Sequence, residues 1–157
     1  MNQAFFFGLG FSSINAAQAM RENGFARIGG TVRSPEKAAQ LRADDIDAVL
    51  FDGTAPGPEV GGALATASHV ILSIAPDEAG DPALCHHRAG LDAAGQLQWL
   101  CYYSTVGVYG DFDGEWIDET APLVPRNMRS DRRVLAEQAW RDYAAERGVP
   151  LCILRLA

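Results

Sequence analysis

Ala4-Phe5-Phe6-Phe7-Gly8-Leu9-Gly10-Phe11-Ser12-Ser13 decides the reading of this chain. A run of bulky apolar residues stops at a glycine, a second glycine follows two positions on, and a small residue stands three beyond that. The run predicts a buried strand. The segment Ser13–Asn23 predicts a helix ended by Gly24, a residue suited to the turn that closes helices. A strand, glycine turn and helix at this spacing form a dinucleotide-binding fingerprint. Gly8 permits the tight turn, and Gly10 lets the backbone approach a pyrophosphate. The third position, ordinarily Gly or Ala, is where helix packs on strand; Ser13 is small but departs from that pattern. Gly8, Gly10, Phe11, Ser12 and Ser13 are therefore candidate cofactor contacts, with phosphate held by amides at the helix start.

Outward from the turn, short apolar runs alternate with amphipathic segments. The runs are Ala4–Leu9, Ala26–Val32, Asp47–Phe51, His69–Ala75, Gln98–Tyr103 and Leu151–Leu156. Most are continuous rather than alternating, the pattern of strands covered on both faces. Helices are expected at Ser34–Arg42, which opens Ser-Pro-Glu, at Pro58–Thr66, at Pro82–Ala94 and at Arg129–Arg147 before Gly148. This order predicts a doubly wound α/β (Rossmann) domain over residues 1–157. Its parallel sheet has about six strands in the order 3-2-1-4-5-6, with helices on both faces. Ser104–Pro125 breaks the rhythm with about twenty residues of weak pattern, and a loop that long in a compact domain is usually functional or disordered. It follows the fifth strand, at the carboxyl edge where such sheets bind ligands.

The bulk numbers agree. A chain of 157 residues, 48% hydrophobic and 21% charged, suits one globular domain. A net charge of −7 argues against nucleic acid or an anionic membrane as partner. It leaves a dinucleotide open, because backbone amides can hold its phosphates. No apolar run reaches the ~18 residues of a bilayer span, and Phe5–Phe7 is too short for a signal peptide; a cytoplasmic location is expected. Cys85, Cys101 and Cys152 are expected as buried free thiols, and no His/Cys/carboxylate spacing, His86-His87 included, suggests a metal. Trp99, Trp116 and Trp140 are expected in packing.

The end of the second strand bears on cofactor choice. NAD enzymes usually place a carboxylate there for the ribose 2′-hydroxyl. Here the residues are Gly30-Thr31-Val32-Arg33-Ser34. Arg33, with the hydroxyls of Thr31 and Ser34 and with Lys37 one turn on, suits a 2′-phosphate instead. NADP is expected, with NAD possible.

Residues 103–110 read Tyr-Ser-Thr-Val-Gly-Val-Tyr-Gly, followed by Asp118-Glu119-Thr120-Ala121-Pro122 and by Arg133-Val-Leu-Ala-Glu137. This set resembles the extended short-chain dehydrogenase/reductase superfamily, which includes the nucleotide-sugar epimerases and dehydratases, and is most similar to its atypical members. The resemblance implies an NAD(P)-dependent oxidoreductase or epimerase acting on a sugar-nucleotide or another small carbonyl or alcohol substrate. It implies that Thr105 hydrogen-bonds the substrate oxygen, with Ser104 beside it. It also implies that Asp52 contacts adenine and that Ala75-Pro76 lies along the cofactor. A homodimer through the Arg129–Arg147 helix is a further implication.

The superfamily's central pair is a Tyr acid/base and a Lys four residues on. Counting back from Glu137 puts Arg129 and Arg133 in those places, and Lys37 is the only lysine in the chain. Arg133 can replace the Lys as a fixed charge and ribose ligand. Arg129 cannot replace the Tyr, because a guanidinium stays protonated to above about pH 12. Three readings stay open. Tyr109 or Tyr103 supplies the acid/base group, or a carboxylate such as Asp111 or Glu115 does, or the domain binds cofactor without standard catalysis. Arg126, Arg129, Arg132 and Arg133 form a small basic cluster that is either a solvated helix start or an anion contact. The resembling proteins continue past the sixth strand into a substrate-binding region. A chain stopping at Ala157 is expected to hold the cofactor region with little substrate pocket.

Overall fold

The computed structural model describes residues 1–157. The elements run β1 (Gln3–Phe7), α1 (Phe11–Glu22), β2 (Arg27–Val32), α2 (Pro35–Ala43), β3 (Asp47–Leu50), α3 (Val60–Leu64), β4 (His69–Leu72), α4 (Pro82–Asp92), β5 (Trp99–Thr105), α5 (Met128–Arg147) and β6 (Leu151–Leu156). All six strands are parallel, in the order β3-β2-β1-β4-β5-β6. The expected topology is the observed one. Element ends differ from the sequence reading by at most three residues, and α3 is only a five-residue helix because Gly61 and Gly62 weaken it.

The three phenylalanines of β1 show why the strands read as unbroken apolar runs. Phe5 and Phe7 enter one core with Val70, Leu72, Leu100 and Tyr102, under α3, α4 and α5. Phe6 enters the other with Ile28, Ile71 and Cys101, under α1 and α2. Successive side chains leave opposite faces of a strand, so a sheet covered twice needs apolar residues at every position. Trp140 and Tyr143 of α5 are buried in the first core.

Helix ends follow local chemistry. Ser34 caps α2, with Pro35 next. Asp81 caps α4 before Pro82, and Asn127 caps α5. α5 ends at Gly148 with φ +65°, a conformation other residues rarely adopt. α1 alone among these longer helices has no side-chain cap and no acidic residue in its first turn. No helix is long and apolar enough to cross a membrane.

Two expectations are corrected here. Trp116 is fully exposed rather than packed, because it lies in the irregular segment after β5, where no element covers it. Of the three free cysteines, only Cys101 is buried; Cys152 is half-buried on the edge strand and Cys85 is exposed on α4.

Candidate functional site

A crevice of about 680 Å³ opens at the carboxyl ends of β1, β2, β3 and β4. Its lining includes Gly8, Gly10, Arg33, Ser34, Asp52 and Ala75. In a doubly wound sheet the strand order reverses beside β1, and ligands bind at that switch point.

The glycine turn is held from three sides. The Gly8 N–H donates to Thr31 Oγ1 at 2.8 Å. Ser13 Oγ donates to Ser73 Oγ at 2.9 Å, and Ser73 Oγ lies 2.7 Å from the Gly8 carbonyl. Ser13 is buried; its hydroxyl in place of the usual Gly or Ala links α1 to the end of β4. Gly8 has φ +95°, and a Cβ there would meet Ser73 Oγ at 2.8 Å. Gly10 differs: a Cβ there would meet nothing within 4 Å, so it faces open crevice. Phe11 and Ser12 begin α1 in exposed positions, with their amides at the uncapped helix start.

Thr31 corrects one expectation. It is buried, and its hydroxyl is committed to the Gly8 amide. It supports the turn, and its burial leaves it almost no surface to offer a ribose phosphate. Ser34 Oγ accepts from the Lys37 amide at 3.3 Å and caps α2. Arg33 is exposed and has no hydrogen-bond or ion-pair partner; Lys37 Nζ touches only Gln40, at 3.5 Å. Two cationic side chains with no carboxylate partner therefore line the crevice beyond β2.

On the β3 side, Asp52 Oδ1 accepts from the amide and the hydroxyl of Thr54, both at 2.8 Å. These bonds hold its carboxyl below the usual range. The loop behind it is held by His87, whose Nε2 accepts the Gly57 N–H at 3.3 Å. Burial between Phe7 and Phe51 pushes the His87 pKa down. Sequence reading missed Ser73 and His87. Neither carries a motif, and their roles appear only when β4 and α4 come beside the turn and the loop.

Beyond β5 the side chains divide by face. Thr105 is half-buried, and its Oγ1 accepts from the Gly107 amide at 3.2 Å, which leaves its own proton free to be donated. Ser104 points the other way: it is buried and donates to Glu137 Oε1 at 2.5 Å. Its hydroxyl is spent inside the domain and lies off the crevice lining. Arg133 Nη1 donates to the Tyr103 carbonyl at 2.7 Å and lies 3.1 Å from the Tyr102 hydroxyl. Tyr109 is buried with its hydroxyl 2.7 Å from Arg155 Nη1 and its ring under that guanidinium at 4.8 Å. Pro76 is half-buried in the segment after β4. In the basic cluster Arg126 pairs with Asp111 and Arg132 with Glu78, while Arg129 is exposed without a partner. No group of His, Cys, Asp or Glu is arranged to hold a metal.

Among solved structures, the chain is similar to a conserved protein of unknown function from Silicibacter pomeroyi, at 37% identity and TM-score 0.83, over 100% of this chain and 52% of that one. It is also similar to UDP-glucuronic acid 4-epimerase from Bacillus cereus in complex with NAD, at 16% identity and TM-score 0.71, over 100% of this chain and 57% of that one. A third is UDP-glucose-4-epimerase from Stenotrophomonas maltophila with bound NAD, at 17% identity and TM-score 0.68, over 99% of this chain and 52% of that one. The chain has their fold. It spans about half the length of each of these structures. No protein-family model matches the chain, and no curated protein does.

Proposed function

We propose that this chain binds a nicotinamide dinucleotide, NADP in preference to NAD, in the manner of the NAD-dependent epimerases and dehydratases. On this reading it serves oxidoreductase or epimerase chemistry on a sugar-nucleotide or other small carbonyl or alcohol substrate. The observation that carries the proposal is the uncapped α1 start facing open crevice at Gly10. Four amides at a helix start lack intrahelical partners and favour an anion. The unpartnered Arg33, with Lys37 nearby, supports a 2′-phosphate, and no carboxylate stands at the end of β2 to repel one. The residues present fit the group: Gly8–Ser13 would hold the pyrophosphate, Arg33 and Ser34 the 2′-phosphate, and Asp52 the adenine side. Bound nicotinamide supplies hydride exchange at its ring. Thr105 would donate its free proton to the substrate oxygen, and Ala75-Pro76 would flank the cofactor. Arg133, fixed by Tyr102 and Tyr103, would offer its remaining N–H groups to ribose. Tyr109 lies four residues after Thr105 in the chain, and Arg155 supplies it with a cationic neighbour.

Side-by-side calorimetric titration with NADPH and NADH tests this reading. NADPH is expected to bind more tightly, and Arg33→Ala is expected to cut that preference by about tenfold, the worth of one charge-assisted contact of ~1.4 kcal/mol. If neither nucleotide binds nor raises Tm at saturation, the proposal fails.

A second reading is favoured by Arg129, which stands exposed where the resembling enzymes carry their acid/base tyrosine. It is a domain that binds cofactor without turnover. Oxidation of NADPH by a panel of carbonyl compounds, lost in Thr105→Val or Tyr109→Phe, would exclude it.

A further inference from the structure

Cys101 and Cys152 are register partners between β5 and β6. Both side chains lie on the α1/α2 face: Cys101 belongs to that core and Cys152 packs against it. Neighbouring strands lie about 4.8 Å apart, inside the Cα separation of roughly 4.4–6.8 Å that a disulfide spans. Register partners on one face of adjacent parallel strands bring the two side chains side by side. Both are free, and neither lines the crevice. Cys85 sits on α4, across the sheet, with its Sγ 3.4 Å from the Ala79 carbonyl; it cannot join the pair.

Access separates the two partners. Cys101 is 1% exposed, whereas Cys152 is half-buried on the edge strand. Burial pushes the Cys101 thiol up to about 12, so it is inert toward reagents in solution. Cys152 is the thiol a reagent meets first. Once Cys152 carries a leaving group, its sulfur lies against Cys101, and proximity replaces thiolate concentration as the source of rate.

We propose that Cys101 and Cys152 form a cross-strand redox site that closes reversibly to a disulfide, with a small-molecule disulfide as oxidant. The Cys152 thiolate attacks one sulfur of the reagent, a Cys152–reagent mixed disulfide forms, and one reagent thiolate leaves. Cys101 gives its proton to the departing reagent thiolate as its sulfur attacks Cys152 Sγ. The Cys101–Cys152 bond forms and the second reagent thiolate leaves. The protein gives up two electrons and two protons, and the reagent becomes two thiols. The bond ties β6, which carries Arg155, to β5, which carries Thr105.

The test uses the full chain with Cys85→Ser, treated under native conditions with 5,5′-dithiobis(2-nitrobenzoate). Two equivalents of coloured thiolate are expected per chain, with no label retained, a mass lower by two hydrogens, and a digest peptide joining Cys101 to Cys152. Dithiothreitol should restore the starting mass. In the Cys85→Ser/Cys101→Ala chain, release should stop at one equivalent, with the label retained on Cys152. A stable one-equivalent adduct in the Cys85→Ser chain, or no release at all, overturns the proposal. If Cys85→Ser does not fold, peptide mapping of the treated wild-type chain reads the same link. The result is independent of nucleotide binding, so it stands or falls apart from the proposed function.

Discussion

At Gly10, φ is −85° and ψ is −171°, a backbone conformation open to any residue. Nothing crowds a Cβ there. Gly10→Val is therefore expected to fold with an unchanged melting temperature while losing nucleotide affinity by at least about a hundredfold, since a branched side chain would fill the space needed for close backbone approach. A calorimetric titration beside a thermal melt checks both halves; a Val variant that binds NADPH normally would move the pyrophosphate site elsewhere. His87 gives a prediction in pH. Its folded pKa lies below the ordinary 6.5 because burial disfavours the cation. Above pH 6.5 the ring is neutral in both folded and unfolded chains and costs nothing. As pH falls below 6.5 the unfolded chain takes up the proton first, so stability declines. His69, also depressed by burial, adds a decline of the same sign. His87→Gln keeps an acceptor for the Gly57 amide and removes one titration. Denaturant melts from pH 7.5 to 6 are expected to show a shallower decline in the variant; an unchanged slope would remove His87 as a source.

The N-terminus of α4 sets two demands against each other. Asp81 Oδ1 accepts from the Ala83 amide at 3.0 Å and the Leu84 amide at 3.4 Å, bonds that favour a carboxylate. Burial opposes the charge and raises the pKa to about 6. A raised carboxyl pKa means the folded chain holds its proton more tightly. The stabilisation is full below the usual 3.8 and is lost as pH rises through 6. Asn supplies the same cap oxygen without charge, so Asp81→Asn should melt at or above wild type at pH 7.5. Asp81→Ala should lose about 1 kcal/mol with the cap. An Asn variant melting well below wild type would show that the ionised form is the one the helix needs. The α4 cap was legible only in part: Pro82 reads as the start of a helix, but nothing in sequence shows that the Asp81 carboxyl before it is buried. The same limit explains the site. Apolar runs and glycines fixed strand order, because both faces of each strand must be covered and the chain connections allow few topologies. Arg33 was legible as a free charge because it follows a strand end with no acid beside it. Thr31 was misread because its face depends on strand register. Ser104 was not separable from Thr105, since only alternation along β5 decides which of the two hydroxyls is spent inside, and the approach of Arg155 to the Tyr109 hydroxyl has no sign in sequence.

Across the whole molecule, one buried ion pair joins parts that are distant in the chain. Glu137 of α5 is 1% exposed. It accepts from Arg155 of β6 at 2.7 and 3.1 Å and from Ser104 of β5 at 2.5 Å. Arg155 also donates to Tyr109 and to the Glu119 carbonyl at 3.3 Å, so the segment after β5 is anchored through it. The Glu137 carboxylate holds the Arg155 pKa above its ordinary value. Such a pair is a weak source of net stability, because desolvating both charges offsets most of their attraction, but breaking it leaves one charge buried alone. Glu137→Gln, which still accepts from Ser104, is expected to cost about 3–5 kcal/mol. That is a large share of the roughly 5–15 kcal/mol that holds a domain of this kind folded. Glu137→Leu with Arg155→Met removes both charges and keeps comparable volume, so the double variant should lose far less than the sum of its singles. Urea melts of the four chains give the coupling directly. Hydrogen exchange then reads the anchor: amides from Tyr109 to Glu119 should exchange faster in Glu137→Gln even where the sheet remains protected. Additive losses, or exchange that rises evenly over the whole domain, would mean that the pair does not couple the segment after β5 to the sheet.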